Sequence, residues 1–152
     1  QTVRLWETKH YQNIHTFTEH KQAITDLKWL HSLSILITAS QEGTVHFWDT
    51  QTYQLLRTLI VGEPIVSLAV NSQTNTLATA NHQNIKLWDI TTGQLLQTLA
   101  GCHPISFSAD GQRLISGHLS KPKTLKIWRS IFSSKDNFNS TTFSLELGQE
   151  WW

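Results

Sequence analysis

Apolar and polar residues alternate along this chain in short runs, and the runs recur at a near-constant interval. Four of them, TVRLWE, TVHFWD, NIKLWD and TLKIWR, carry a tryptophan near their end: Trp6, Trp48, Trp88 and Trp128. Val3 and Leu5, Val45 and Phe47, Ile85 and Leu87, and Leu125 and Ile127 fall on one face. Arg4, His46, Lys86 and Lys126 fall on the other, with the tryptophans. Period-two alternation in β-branched and aromatic residues predicts strands. The tryptophans stand 42, 40 and 40 residues apart, the mark of a repeated supersecondary unit.

Three further elements keep their place relative to the tryptophans. Ten residues beyond the first three come Thr16, Thr58 and Thr98, inside QNIHTF, QLLRTL and QLLQTL, each set off by a polar turn. These predict an outer strand. LITAS (36–40), LATAN (77–81) and LISGH (114–118) predict a second strand just before the tryptophan run. AITDLKW (23–29), PIVSLAV (64–70) and PISFS (104–108) predict an inner strand before that. Each repeat is therefore four short strands, and no segment has helical periodicity of useful length.

Composition fits this picture. Of 152 residues, 39% are hydrophobic and only 15% charged, with 19 Thr and 7 Trp; an ordinary domain carries about 25% charged residues. The net charge of +1 leaves no electrostatic footprint for nucleic acid or a membrane surface. The lone Cys102 has no partner for an internal disulfide, which fits a reducing compartment. No apolar run approaches the roughly 18 residues of a membrane span, and no signal-peptide pattern opens the chain. A cytoplasmic protein is expected. The chain holds no Met and reads as a piece of a longer polypeptide.

Four-stranded units at this period, with Trp-Asp pairs at 48–49 and 88–89, resemble the WD-repeat β-propeller family over residues 1 to 129. The resemblance implies an all-β fold of four-stranded antiparallel blades. It also implies a buried network in each blade, joining a His between outer and inner strands, a Ser or Thr on the second strand, an acid in the next turn, and the Trp. Trp only donates hydrogen bonds and an acid can fix the His tautomer, so such a set can be fully satisfied. The first full blade offers His20, Thr38 or Ser40, Glu42 in place of the usual Asp, and Trp48. The second retains Thr79 and Trp88. The third offers His103, Ser116 and Trp128, with two extra residues in its turn.

On this reading the chain holds a half blade (1–20), blades at about 21–60, 61–100 and 101–129, and a polar tail (130–152) whose best closing outer strand is 141–147. That is about three and a half blades, too few to close a ring of roughly four to eight. A blade face of four five-residue strands covers about 320 Å². Leaving it wet costs about 8 kcal/mol, comparable to a domain's whole stability. The native object is expected to be larger, completed by other blades of the same parent chain or by another copy.

Catalytic chemistry finds little support. The eight His lie at 10, 15, 20, 31, 46, 82, 103 and 118, without the spacing of a helical zinc site and without a Cys pair. His20 and His103 read as network residues and the others as turn or strand-surface groups; no metal or cofactor is expected. There is no Gly-x-Ser-x-Gly elbow, phosphate loop or paired carboxylate. The basic residues Lys121, Lys123, Lys126, Arg129 and Lys135 read as a solvated turn and strand end. The chain is expected to be a non-catalytic protein-interaction scaffold, the C-terminal part of a propeller, binding other proteins through loops at the blade ends. Gln22, Gln41, Glu63 and His82 are the candidate contacts. The alternative is a regulatory or sensor propeller appended to a multidomain signalling enzyme, a kinase or P-loop ATPase.

Overall fold

The computed structural model describes residues 1–117, 125–130 and 138–143. The chain divides into two compact units, Gln1–Val66 and Ser67–Trp152. Both are all-β. In the first unit β1 (Val3–Trp6) pairs with β2 (Asn13–Phe17) and, among the described residues, with no other strand. β3 (Ile24–Leu30), β4 (Ile35–Ser40), β5 (Thr44–Asp49) and β6 (Leu55–Ile60) then form an antiparallel meander in chain order. A single 3-10 turn, His31–Leu33, joins β3 to β4.

The second unit holds two such meanders. One is built from β7 (Ser67–Asn71), β8 (Thr76–Ala80), β9 (Ile85–Asp89) and β10 (Leu95–Leu99). The other is built from β11 (Cys102–Phe107), β12 (Arg113–Gly117), β13 (Leu125–Ser130) and β14 (Phe138–Phe143). The inner strand expected from Pro64 begins instead at Ser67. Pro64 has no N–H to give a ladder, and the Ile65 N–H goes to the Ser40 carbonyl at 3.4 Å.

The repeated threonine has a geometric meaning. Thr16, Thr58 and Thr98 stand directly across from Arg4, His46 and Lys86, the residues two before each tryptophan. In the last sheet the partner of Lys126 is Thr142. The outer strand described there is Phe138–Phe143, which includes 141–143 of the expected 141–147; residues 144–147 lie outside the described ones. Asp49 and Asp89 close a short turn after their strands: the Asp49 carboxylate accepts from the Gln51 and Thr52 N–H groups at 2.7 and 2.8 Å, and Asp89 accepts from Thr92 at 2.7 Å. Those bonds hold the Asp49 carboxyl below its ordinary value. Arg129 stands at the third such position and cannot accept. In that repeat the threonine follows its tryptophan by fourteen residues rather than ten.

Each unit has its own core. In the first, Phe17, Leu36 and Trp48 pack together, with Val3, Leu5 and Tyr53 against them. In the second, Ala69, Ala78, Ile85, Leu87, Leu99, Ile105, Leu114 and Trp128 form one cluster. Leu87 is fully buried there, while Leu96 on the outer strand is exposed. Leu87→Ala is expected to lower stability by about 2–5 kcal/mol through lost burial and a residual cavity. Leu96→Ala is expected to stay within about 0.5 kcal/mol. Urea unfolding of the two variants checks both.

Candidate functional site

The same offset recurs in all three four-stranded sheets. Leu36, Leu77 and Leu114 oppose Trp48, Trp88 and Trp128, so Thr38, Thr79 and Ser116 stand two residues along the neighbouring strand. Diagonal neighbours lie within reach of a large side chain. Each indole N–H uses that reach. Trp48 Nε1 donates to Thr38 Oγ1 at 2.9 Å, Trp88 Nε1 to Thr79 Oγ1 at 3.0 Å, and Trp128 Nε1 to Ser116 Oγ at 3.1 Å. All six side chains are buried.

In the first unit the chain of bonds continues to the surface. His20 Nε2 lies 2.7 Å from Thr38 Oγ1, and His20 Nδ1 lies 2.7 Å from Glu42 Oε1. A carboxylate only accepts, so Nδ1 carries the proton and Nε2 of the neutral ring accepts from the Thr38 hydroxyl. That leaves Thr38 oxygen free to accept from Trp48. Glu42 also accepts from Thr44 Oγ1 at 2.9 Å and the Lys21 N–H at 3.1 Å. Burial pushes the Glu42 carboxyl up, but its hydrogen bonds to His20, Thr44 and Lys21 outweigh it and hold the group below its ordinary value. The longer glutamate thus fills the acid position. Ser40 is not in this relay; its hydroxyl accepts from the Glu42 N–H at 3.2 Å.

The relay ties down the turns at one end of the sheet. Lys21 is bound through Glu42, and the Gln41 N–H donates to the Ala23 carbonyl at 2.9 Å. The Val61 N–H donates to the Gly43 carbonyl at 2.9 Å. Gly43 sits at φ +80°, and a Cβ there would lie 2.9 Å from the Glu63 backbone. The turns carrying Gln22, Gln41 and Glu63 therefore meet; Gln22 and Gln41 are exposed and Glu63 is half-buried.

The second unit departs from the expected network. Among the described residues no histidine extends the Trp88–Thr79 bond. His103 does not reach Ser116, a correction to the sequence reading. Gly101 packs closely there: a Cβ on it would lie 2.8 Å from both Ser116 Oγ and Ile85 Cδ1. Ser116 Oγ donates to the Gly117 carbonyl at 3.0 Å instead. His103 Nε2 meets His82 Nδ1 at 3.0 Å near the surface, and the His103 N–H donates to the Asn81 carbonyl at 3.0 Å. His82 belongs to the second unit, and the other three candidate contacts to the first.

His46 is the residue the sequence reading missed. It reads as a strand-surface group, like Arg4, Lys86 and Lys126 at the same place in the repeat. In the structure it is only 6% exposed. Its ring stacks on His20 at 4.0 Å with 8° between planes and meets Trp48 edge-on at 5.3 Å. No sequence signal marks this, because the fold of the connection bearing His20 decides it. His20, Glu42 and His46 offer ligand atoms within 4.8 Å of one another. Parallel stacked rings, however, aim their in-plane lone pairs side by side rather than at one point. Both His20 nitrogens are also engaged by Glu42 and Thr38. Lys126, Arg129's neighbour in the basic run, lies over the Trp128 ring at 3.9 Å and donates to the Ala100 carbonyl at 3.2 Å. Lys121, Lys123 and Lys135 lie outside the described residues.

The profile of the WD domain, G-beta repeat family matches residues 11–49 and 93–129. The chain belongs to the WD-repeat family. Its relatives include a periodic tryptophan protein 2 homolog of Caenorhabditis elegans, 30% identical over 151 residues, covering 95% of this chain and 16% of that protein. Eukaryotic translation initiation factor 3 subunit I of Dictyostelium discoideum is 32% identical over 69 residues, 45% of this chain and 21% of that one. The F-box/WD repeat-containing protein sel-10 of Caenorhabditis elegans is 34% identical over 58 residues, 38% of this chain and 10% of that one. The chain spans about a fifth or less of the length of these relatives.

Thr38→Val is expected to lower stability by about 2–5 kcal/mol, because it leaves the Trp48 N–H and His20 Nε2 buried without partners. Thr79→Val strands only the Trp88 N–H and is expected to cost about 1–3 kcal/mol. Denaturant unfolding followed separately in each sheet by amide exchange checks the order.

Proposed function

We propose that this WD-repeat chain is a non-catalytic interaction scaffold, its sheets being blades of a larger propeller and its partners other proteins. The observation that carries the reading is the gathered end of the first unit. Exposed amides of Gln22 and Gln41 project there from turns fixed by the Glu42–His20–Thr38–Trp48 relay. Variable polar side chains on a rigid strand frame make a binding surface with little ordering to do on contact. The relatives favour the reading, since one is named as a subunit of a translation initiation factor.

A larger propeller is favoured by the inner strand of the first unit. Leu27 and Trp29 on β3 are 48% and 44% exposed, and among the described residues β1 has a strand on one edge only. An apolar strand face beside an open edge suits further strands of a preceding blade. Among the described residues no helix is long and apolar enough to cross a membrane, and a cytoplasmic location accords with the single free cysteine.

Gln22→Ala combined with Gln41→Ala is expected to remove co-purifying proteins from the tagged full-length parent while leaving its melting temperature unchanged. Retention of every partner by that double variant would overturn the assignment of this surface.

A further inference from the structure

The first unit buries a titratable group that the hydrogen-bond relay does not use. His46 Nδ1 is the buried side-chain nitrogen or oxygen without a hydrogen-bond partner among the described residues. Its ring lies flat against His20, whose two nitrogens close the bonds to Glu42 and Thr38. The strands flanking His46 place Thr38 and Thr58 opposite it, and neither can balance a charge. The ionisable groups facing it are His20, Glu42 and Glu19. Glu42 is already committed to His20, Thr44 and Lys21. A proton on His46 would thus create a buried cation stacked on a second imidazole, with no acceptor at Nδ1.

We propose that the stacked pair His20–His46 is an acid-sensitive latch: uptake of a proton by His46 drives it out from against His20 and frees the turns that carry Gln22 and Gln41. Leaving the stack lets His46 hydrate. The same movement removes the ring on which His20 rests, and with it the support for the Glu42 contact that holds Lys21. The latch is a property of this sheet alone. Its consequence for a partner, weaker binding at mildly acid pH, rests on the interaction reading given above.

The direction of the pH effect follows from linkage. Burial foremost holds the His46 imidazole below its ordinary value of 6.5. The closed state is thus the one that binds fewer protons. Well above pH 6.5 neither closed nor open state carries the proton and the latch is at full strength. As pH falls through 6.5 the open state takes it up before the closed state does, and the opening constant rises by up to about tenfold per pH unit. Glu42 is held below 4.5, so its contribution is lost only at more acid pH than that of His46.

The test is amide hydrogen exchange on the chain from pH 7.5 to 5, with opening constants corrected for intrinsic exchange rates. The readouts are the Lys21 and Gln41 amides, bound to Glu42 and Ala23; the Asn84 amide, bound to Asn81, is the reference. Opening at Lys21 and Gln41 is expected to rise several-fold between pH 6.5 and 5.5, with Asn84 unchanged. His46→Phe, which keeps an aromatic ring against His20 and cannot titrate, is expected to flatten the rise. A flat wild-type profile, or a variant that keeps the rise, would overturn the latch. Should the variant not fold, the imidazole carbon shifts of His46 in the unaltered chain decide: a midpoint below 6.5 supports the proposal, and one at or above 6.5 contradicts it.

Discussion

An indole N–H can donate a hydrogen bond and do nothing else. Placed in the middle of a sheet, it needs an acceptor that the neighbouring strand can supply without breaking its ladder. Thr38, Thr79 and Ser116 supply it, each two residues along from the leucine that opposes the tryptophan. The pairing fixes more than one bond. It requires the second and third strands to be in one register, since a one-residue slip would turn the hydroxyl to the other face and leave the N–H buried and bare. Trp6 shows the converse. Among the described residues its sheet has no strand on the inner side to offer a hydroxyl, and it is 50% exposed.

What differs among the three sheets is how far the polar chain runs beyond that bond. In the first it extends through His20 to Glu42 and ends at backbone N–H groups of the turns, so core and surface are mechanically joined. In the second it stops at Thr79. In the third Ser116 returns its proton to the adjacent Gly117 carbonyl, and Gly101 packs closely against it. A shared strand framework thus carries three grades of connection between core and loops, which is where members of one repeat can diverge without losing the fold.

The strands and their order were legible because each sheet is a meander: every pairing is local, and period-two alternation reports it directly. The tryptophan–hydroxyl pairs were legible for the same reason, being a fixed offset within one repeat. Three features were not. His46 stands where other repeats place Lys or Arg, and only the connection bearing His20, folded over it, makes it buried. The outer strand at Phe138–Phe143 begins ahead of the expected 141–147, in a repeat where Arg129 replaces the Asp of the other two turns. His103 matches its sequence position in the network, but its ring meets His82 rather than Ser116. Each miss lies in a connection, where the local pattern carries no period.

The most direct measurement of this account is the exchange of individual indole N–H protons with solvent, followed by NMR. The account predicts that the indoles of Trp48, Trp88 and Trp128 are strongly protected, while those of Trp6 and Trp29, 50% and 44% exposed, exchange near the free rate. Indole protons of Trp48, Trp88 and Trp128 exchanging as fast as that of Trp6 would contradict it.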